Sequence, residues 1–350
     1  MTAPVTECCL RSPQEERLQD QIDGKVDRYR KTHERVFRML ERFEGQKPQI
    51  DIERALYFTQ SMKETEGQPL VLRWAKALAH IAKNITVTVE EDQLLLGRAG
   101  GLPGRYGILY PELDGDFLDI AVKDLPTRET SPASIDPEDA KKVVEEVAPF
   151  WKGKTFHEDL NAALPPEVHK LTYDDPQGLI SRYIVNETAS FRSSIQWVPD
   201  FAKIINRGFN SIKAEAQEKL AALDPLSCKD MCEKKPFLDA IVIVSDAIVL
   251  WAHRYADAAR EAAAKCTDEK RKAELLRMAQ NADRVPGEPA RDFWEACQSQ
   301  WFTQMFSRLE QKTGTTISNG RMDQYFYPYF KADIEAGKIT EDQALEILEC

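Results

Sequence analysis

The chain has few of the groupings by which a function usually declares itself. Five histidines occur in 350 residues, and His33, His80, His157, His169 and His253 are too scattered to form a ligand cluster, so each reads as a surface or satisfied core residue. Seven cysteines without dense spacing argue against a disulfide framework and fit a reducing cytoplasm. Cys228 and Cys232 make a C-x₃-C and Cys8 and Cys9 are adjacent, yet neither couple has the second pair that a zinc site requires. Positive charge is in deficit: 47 Lys and Arg face 58 Asp and Glu, a net charge of −11. Such a surface repels phosphate backbones and anionic lipid, so neither nucleic acid nor a membrane is an expected partner. The longest apolar run, Ala247 to Ala252 preceded by Ala240 to Val244, is broken by Ser245 and Asp246. It falls short of the ~20 residues of a spanning helix. The N-terminus has no apolar leader, so secretion is not expected and the sequons at Asn84 and Asn186 carry no meaning.

Nucleotide fingerprints are missing as well. The loop at 97–115, GRAGGLPGRYGILYPELDG, has neither a Gly-Lys-Ser/Thr ending nor Gly-x-Gly-x-x-Gly. It reads as a flexible connection whose Arg98 and Arg105 could line an entrance for an anion. No cysteine has a His or Asp partner in a nucleophile's context. Cys297 falls on an apolar face with Phe293 and Trp301, and Cys350 lies on the last helix; both read as structural.

What is present is a chain with 42% hydrophobic and 30% charged residues, a globular balance with length for a large core and about two domains. It reads as mainly α with α/β elements. Ser12-Pro13-Gln14-Glu15 is a strong helix start, followed by a sparse stripe of Leu18, Ile22, Val26 and Tyr29. Val71 to Ala82 has apolar residues at helical spacing. Asp136-Pro137 opens a helix with Val143, Val144, Val147, Phe150 and Trp151 on one face. Helices are also expected over 200–222, over 237–265 (apolar all round at its start, hence buried), and from Asp292 to Leu309. Thr340 caps a last one that looks cut at Cys350. Strand signals are thin: Ile85 to Val89 alternates β-branched residues, Leu94 to Leu96 is a second candidate, and 97–115 and 121–137 read as loops.

Two segments stand out. In Asn319-Gly320-Arg321-Met322-Asp323-Gln324-Tyr325-Phe326-Tyr327-Pro328-Tyr329-Phe330, five aromatics lie within six residues, too much ring surface to leave in water. Arg321 and Asp323 beside them predict a buried polar anchor. In the second segment, Arg192 and Gln196 are four apart and share a face in helical or turned backbone. A guanidinium is a planar fork for a carboxylate, sulfonate or phosphate, and Gln adds an amide donor or accepts from a hydroxyl. Such a pair is more often ordinary surface. Val198-Pro199-Asp200 would then start the next helix at Phe201.

Several segments, in order and spacing over nearly the whole chain, resemble the N-terminal half of glycyl radical enzymes of the pyruvate formate-lyase type. They are Arg54-Ala55, Trp74 to Leu78, Ile85 to Gly97, Val198-Pro199-Asp200-Phe201, Phe237 to Ala240 with Arg254-Tyr255-Ala256, Val285-Pro286, Phe293 to Ala296 with Gln298, and Gly320-Arg-Met-Asp-Gln. The resemblance implies that residues 1–350 are the N-terminal part of one such domain: its helical part and a portion of the first half of a ten-stranded α/β barrel. No Gly-Cys-Val-Glu-like run and no Arg-Val-x-Gly-Tyr-like loop occurs here. The thiyl cysteine, the general-base Glu and the radical glycine are therefore expected C-terminal to this chain, which alone is expected to be inactive.

Many dehydratase-like members carry Gly-His before the Pro-Asp; this chain reads Ile195-Gln196-Trp197 with Arg192 upstream. That resembles the sulfonate-cleaving branch, and implies substrate binding by Arg192 and Gln196. The implied reaction cleaves the C–S bond of isethionate to give acetaldehyde and sulfite. Hydrogen abstraction from the hydroxyl-bearing carbon and removal of the hydroxyl proton by a Glu would precede loss of sulfite. Choline would call for carboxylates and aromatics around a cation. The resemblance further implies no cofactor bound by this chain, a glycyl radical in the full-length enzyme, a radical S-adenosylmethionine activase as partner, no metal, a homodimer and a cytoplasmic location, with enclosure in a microcompartment left open. Rival readings are another glycyl radical lyase, dehydratase or decarboxylase, or a non-catalytic helical scaffold that binds a partner through its aromatic corner.

Overall fold

The computed structural model describes residues 33–113, 118, 122–129, 132–173, 198–310 and 317–350. The expected helix start at Ser12 lies outside them. The described part is mostly helical with one small sheet. In chain order it runs α1 (Glu34–Gly45), β1 (Gln49–Asp51), α2 (Glu53–Glu64), α3 (Leu70–Asn84) and β2 (Tyr106–Ile108). Then come α4 (Pro137–Lys142), a π turn (Val143–Val147), α5 (Ala148–Trp151), α6 (Phe156–Ala163), α7 (Pro166–Tyr173) and α8 (Phe201–Ala221). A second π turn (Asp230–Lys234) leads into α9 (Lys235–Lys265), followed by α10 (Glu269–Arg284), α11 (Phe293–Glu310), α12 (Met322–Glu335) and α13 (Glu341–Glu349).

The helix α9 is the axis of the larger core. Ala247, Trp251, Tyr255, Ala259 and Ala263 recur every four residues and are buried, a ridge that lies against α3, α8 and α10. Small alanines let the backbones approach. Trp251 and Tyr255 fill the space toward α11, with Trp251 5.6 Å from Phe302 and 5.7 Å from Phe306 by ring centroids. A ring of this size removes ~150–250 Å² from water, worth about 4–6 kcal/mol at ~25 cal/mol per Å². By length and composition the span Asp230–Lys265 would suffice to cross a bilayer, contrary to the reading of its interrupted apolar run. Here Trp251, Tyr255 and Ala256 have no exposure because the other helices cover them. The start of α9 is less buried than its composition predicts: Ile241 to Val244 are half-buried and Phe237 is 57% exposed.

The smaller core joins Phe201 and Ile205 of α8, Phe293, Ala296 and Cys297 of α11, Phe326 of α12, and Ala344 and Ile347 of α13. Thus α11 serves both cores, its first turns in the smaller and Phe302 to Leu309 in the larger. Several starts follow the sequence signals. Asp136 accepts from the Glu138 and Asp139 amides, Asp200 accepts from Lys203, and Thr340 with Gln343 forms a complete capping box.

The strand expected at Ile85 to Val89 does not form. The two strands observed are parallel, with Gln49 opposite Tyr106, Ile50 opposite Gly107 and Asp51 opposite Ile108, so β2 lies in what reads as a loop. The 85–97 segment is instead held largely by side chains. The Thr86 amide donates to Glu53. Gln298 takes both backbone bonds of Leu96, at 2.8 and 2.7 Å. Trp294 and Trp301 donate to the Leu94 and Gly97 carbonyls. Residues 294, 298 and 301 share one face of α11, which substitutes for a neighbouring strand.

Arg54 is fully buried. Two of its nitrogens meet the Glu112 carboxylate at 2.6 and 3.0 Å. The third, Nε, donates to the Leu309 carbonyl at 2.7 Å, and the same two nitrogens also donate to the carbonyls of Glu310, at 3.1 Å, and Leu109, at 3.3 Å. The rings of Phe58 and Tyr110 lie 4.7 and 4.1 Å from the guanidinium carbon. Arg54→Met strands Glu112 and the helix end without donors, and is expected to lower stability by about 3–5 kcal/mol in urea unfolding. Lys at this position cannot reproduce the fork and should restore less than half of the loss.

A glycine is required where α8 bends. Gly208 has φ 72° and ψ 159°, a region essentially closed to other residues, and a Cβ there would overlap the Gly287 carbonyl oxygen. The amides of Phe209 and Asn210 leave the helix pattern and donate to the Pro286 and Gly287 carbonyls, both at 2.9 Å. Gly208→Ala is expected to cost about 3 kcal/mol or more. Gly45→Ala, where nothing lies within 4 Å, should stay within about 0.5 kcal/mol in the same urea titration.

Candidate functional site

Arg192 and Gln196 lie in the 174–197 segment, outside the described residues. The described chain resumes at Val198. The Asp200 cap starts α8, and Phe201, 1% exposed, packs 6.0 Å from Tyr325. Val198 rests on Gly320: a Cβ at Gly320 would come within 2.9 Å of Val198 Cγ1, so only glycine admits this contact without a shift. Val198 thus sits beside Gly320.

The aromatic run is the first half of α12 itself. Phe326 is buried, Tyr325, Tyr329 and Phe330 are half-buried, and Tyr327 is 57% exposed. Phe293 receives Phe326 and Phe330 edge-on at 6.0 and 5.8 Å. The hydroxyls point to polar partners, Tyr325 donating to the Asn319 carbonyl and Tyr329 to Asn206, each at 2.8 Å. The buried anchor expected of Arg321 and Asp323 is not there. They pair with each other at 2.8 Å, but with side chains 72% and 62% exposed, because they sit on the outer side of the first turn. The buried acid of this helix is Asp333, which accepts from the Phe293 amide at 2.8 Å.

Asn319 is held by a relay of amides on α11. Gln300 donates from Nε2 to Asn319 Oδ1 at 2.9 Å and to Gln304 at 2.6 Å. With Gln298, Ser299 and Thr303 also buried, α11 carries a polar stripe through otherwise apolar surroundings. Such a stripe supplies neutral donors and acceptors and no charge, so it can orient a small polar molecule but not neutralise an anion. Cys297, on the same helix, is 2% exposed among Phe201, Phe293 and Phe326, and burial pushes its thiol well up from the ordinary value. Burial likewise pushes Cys350 up to about 12.

The arginines of the glycine-rich loop are committed elsewhere. Arg98 pairs with Glu90 and donates to the carbonyls of Leu102 and Gly104, with its guanidinium 4.7 Å from the Tyr106 ring. It staples the loop to itself and is not offered to an anion. Arg105 is exposed, over Phe43 at 5.3 Å. Both border a cavity of about 950 Å³ that Met39, Ile50, Trp301 and Met305 help to line. No cluster of three or more potential metal ligands occurs among the described residues.

Arg54 and the α11 amides escape a reading of sequence as functional residues. The available signal was an Arg in Arg54-Ala-Leu-Tyr-Phe58, an otherwise apolar turn, and three glutamines, Gln298, Gln300 and Gln304, on an aromatic-rich helix.

The chain belongs to the pyruvate formate lyase-like family, whose family model matches residues 28–350. Among curated relatives, the isethionate sulfite-lyase of Desulfovibrio desulfuricans is 79% identical over 99% of this chain, and that of Bilophila wadsworthia 72% identical over 97%. The glycerol-bound B12-independent glycerol dehydratase from Clostridium butyricum superposes with a TM-score of 0.80 at 32% identity, over 90% of this chain and 38% of its own. The chain spans 42% and 41% of the two lyases, about two fifths of their length.

Burial, with a smaller contribution from Cys297, pushes the Tyr325 phenol up to about 12. Its unfolded value is ~10, so the folded state holds this proton more tightly. The resulting stability is present in full below pH ~10 and is lost as pH rises towards 12. Tyr325→Phe is expected to flatten the fall of the urea midpoint across that interval and to leave the slope below pH 9 unchanged.

Proposed function

We propose that this chain is the N-terminal part of a C–S bond-cleaving glycyl radical lyase that converts isethionate to acetaldehyde and sulfite. The carrying observation is the drop from 79% and 72% identity with two isethionate sulfite-lyases to 32% with a glycerol dehydratase of similar fold. On this reading residues 1–350 belong to one pyruvate formate-lyase-type domain and supply helices and part of the first half of a ten-stranded barrel. The thiyl cysteine, the base Glu and the radical glycine belong to the rest of the protein, and a radical S-adenosylmethionine activase installs the radical. The assembly is a cytoplasmic homodimer.

The described residues fit the enclosing wall of such a site. Their contribution around Asn319 is amides and aromatic rings, and Cys297 on the same helix is sealed in apolar packing. The glycyl radical, through its thiyl partner, supplies hydrogen-atom abstraction. Arg192 and Gln196 do the rest of the recognition. The guanidinium grips two sulfonate oxygens and the carboxamide donates to the third, holding the hydroxyl-bearing carbon in one orientation. As the C–S bond breaks, negative charge gathers on the departing sulfite, and a fixed guanidinium stabilises it without reorganisation. Both residues come just ahead of Val198 in the sequence, and Val198 lies against Gly320.

In the full-length activated enzyme, Arg192→Ala is expected to lower kcat/KM for isethionate by about 10²–10³-fold, with Gln196→Ala less affected. The assay is acetaldehyde release, run side by side with dihydroxypropane sulfonate, hydroxyproline and choline. Near-normal turnover of isethionate by the Arg192 variant would remove its role; faster turnover of another substrate by the unaltered enzyme would remove the reaction.

A further inference from the structure

One motif of the sequence finds no use in the site. Cys228 and Cys232 lie at the tip of the hairpin between α8 and α9, where Asp230–Lys234 widens into a π turn. Their sulfurs are 3.7 Å apart, and both residues are exposed. Positions four apart on a helix have Cα atoms about 6 Å apart, inside the range that a disulfide spans, so closing the sulfurs to ~2.05 Å needs side-chain rotation and a local adjustment of the π turn that draws the two Cβ atoms together. The other free cysteines described differ: Cys297 is buried, and Cys266 and Cys350 are half-buried. Nearby Lys234 is paired with Asp230 at 2.7 Å, leaving the two thiols to bond with each other. Single-turn π segments inside α-helices are frequent at functional positions.

We propose that Cys228 and Cys232 form a surface dithiol that exchanges with low-molecular-weight disulfides of the glutathione type and closes to an internal disulfide. The hydrogen bond that Cys232 shares with Cys228 holds the Cys232 thiol up, so the first attack falls to Cys228. Its thiolate attacks one sulfur of oxidised glutathione, forming a mixed disulfide and releasing one glutathione. Cys232 then gives up its proton and attacks the Cys228 sulfur, breaking the mixed disulfide and releasing the second glutathione. The protein loses two electrons and two protons; the glutathione disulfide gains both pairs. Exposed disulfides of this kind are the readily reversed ones. The site lies on a hairpin tip away from both cores and is independent of the proposed lyase reaction.

The test incubates the purified protein with oxidised glutathione, traps remaining thiols by alkylation and maps the cysteines by mass spectrometry. Cys228 and Cys232 should disappear together as one internal disulfide that dithiothreitol reopens. In Cys232→Ser, Cys228 should instead stop at the glutathione adduct, which should accumulate on the order of tenfold above its level in the unaltered protein, because the intramolecular second step is lost. Stable glutathione on both cysteines of the unaltered protein, disulfides between molecules, or an unreacted pair would each overturn the proposal.

Discussion

A guanidinium taken out of water must find its counter-charge and its hydrogen-bond acceptors within reach, and Arg54 finds all of them at a junction of three chain segments. Glu112 comes from the loop after β2, Leu109 from that same loop, and Leu309 and Glu310 from the end of α11. The last carbonyls of a helix carry its partial negative charge, so the cation also answers α11 as a whole. The placement of α11 can be traced outward from there. With its end fixed, α11 presents Trp294, Gln298 and Trp301 to the 94–97 segment, and Phe293 and Cys297 to the smaller core.

The same fixation reaches the region that would face a substrate. Gln300 on α11 holds Asn319, the Asn319 carbonyl holds the Tyr325 hydroxyl, and Tyr325 lies against Phe201 at the start of α8. Val198 and Gly320 close the circuit. On the proposed reading, the Arg192 and Gln196 pair that grips a sulfonate needs such support, since loosely held donors do not preorganise.

Much of this architecture can be read from the residues. Asp136, Asp200 and Thr340 announce their helices because a capping side chain and its amide are local partners. The stripe of α3 and the Ala-rich ridge of α9 are legible for the same reason: periodicity is a local property. What depends on distant partners is not legible. Ile85 to Val89 has the alternation of a strand, but strands need neighbours; Glu53 of α2 holds Thr86 instead, and α11 side chains hold the chain further on at 94–97, from 200 positions away. The β1–β2 pair, three residues each, is too short to leave a pattern. Arg321 and Asp323 look like an anchor beside five rings, yet the helix phase turns them outward. Arg54 reads as an ordinary helical arginine because its acceptors are 55 to 256 positions distant. For the candidate site, the assignment of Arg192 and Gln196 rests on the family resemblance and lies outside the described residues, whereas the helix start from Val198 to Phe201 is readable from the Pro-Asp cap.

The central claim is that one buried cation fixes the end of α11 and, through it, the wall of the site. Hydrogen exchange on Arg54→Met measures this most directly, because it reports protection segment by segment. The account predicts that protection falls together around 107–113, 305–310 and 317–326, while α9 keeps its slow amides. Loss confined to α2, with 317–326 protected as before, would contradict it.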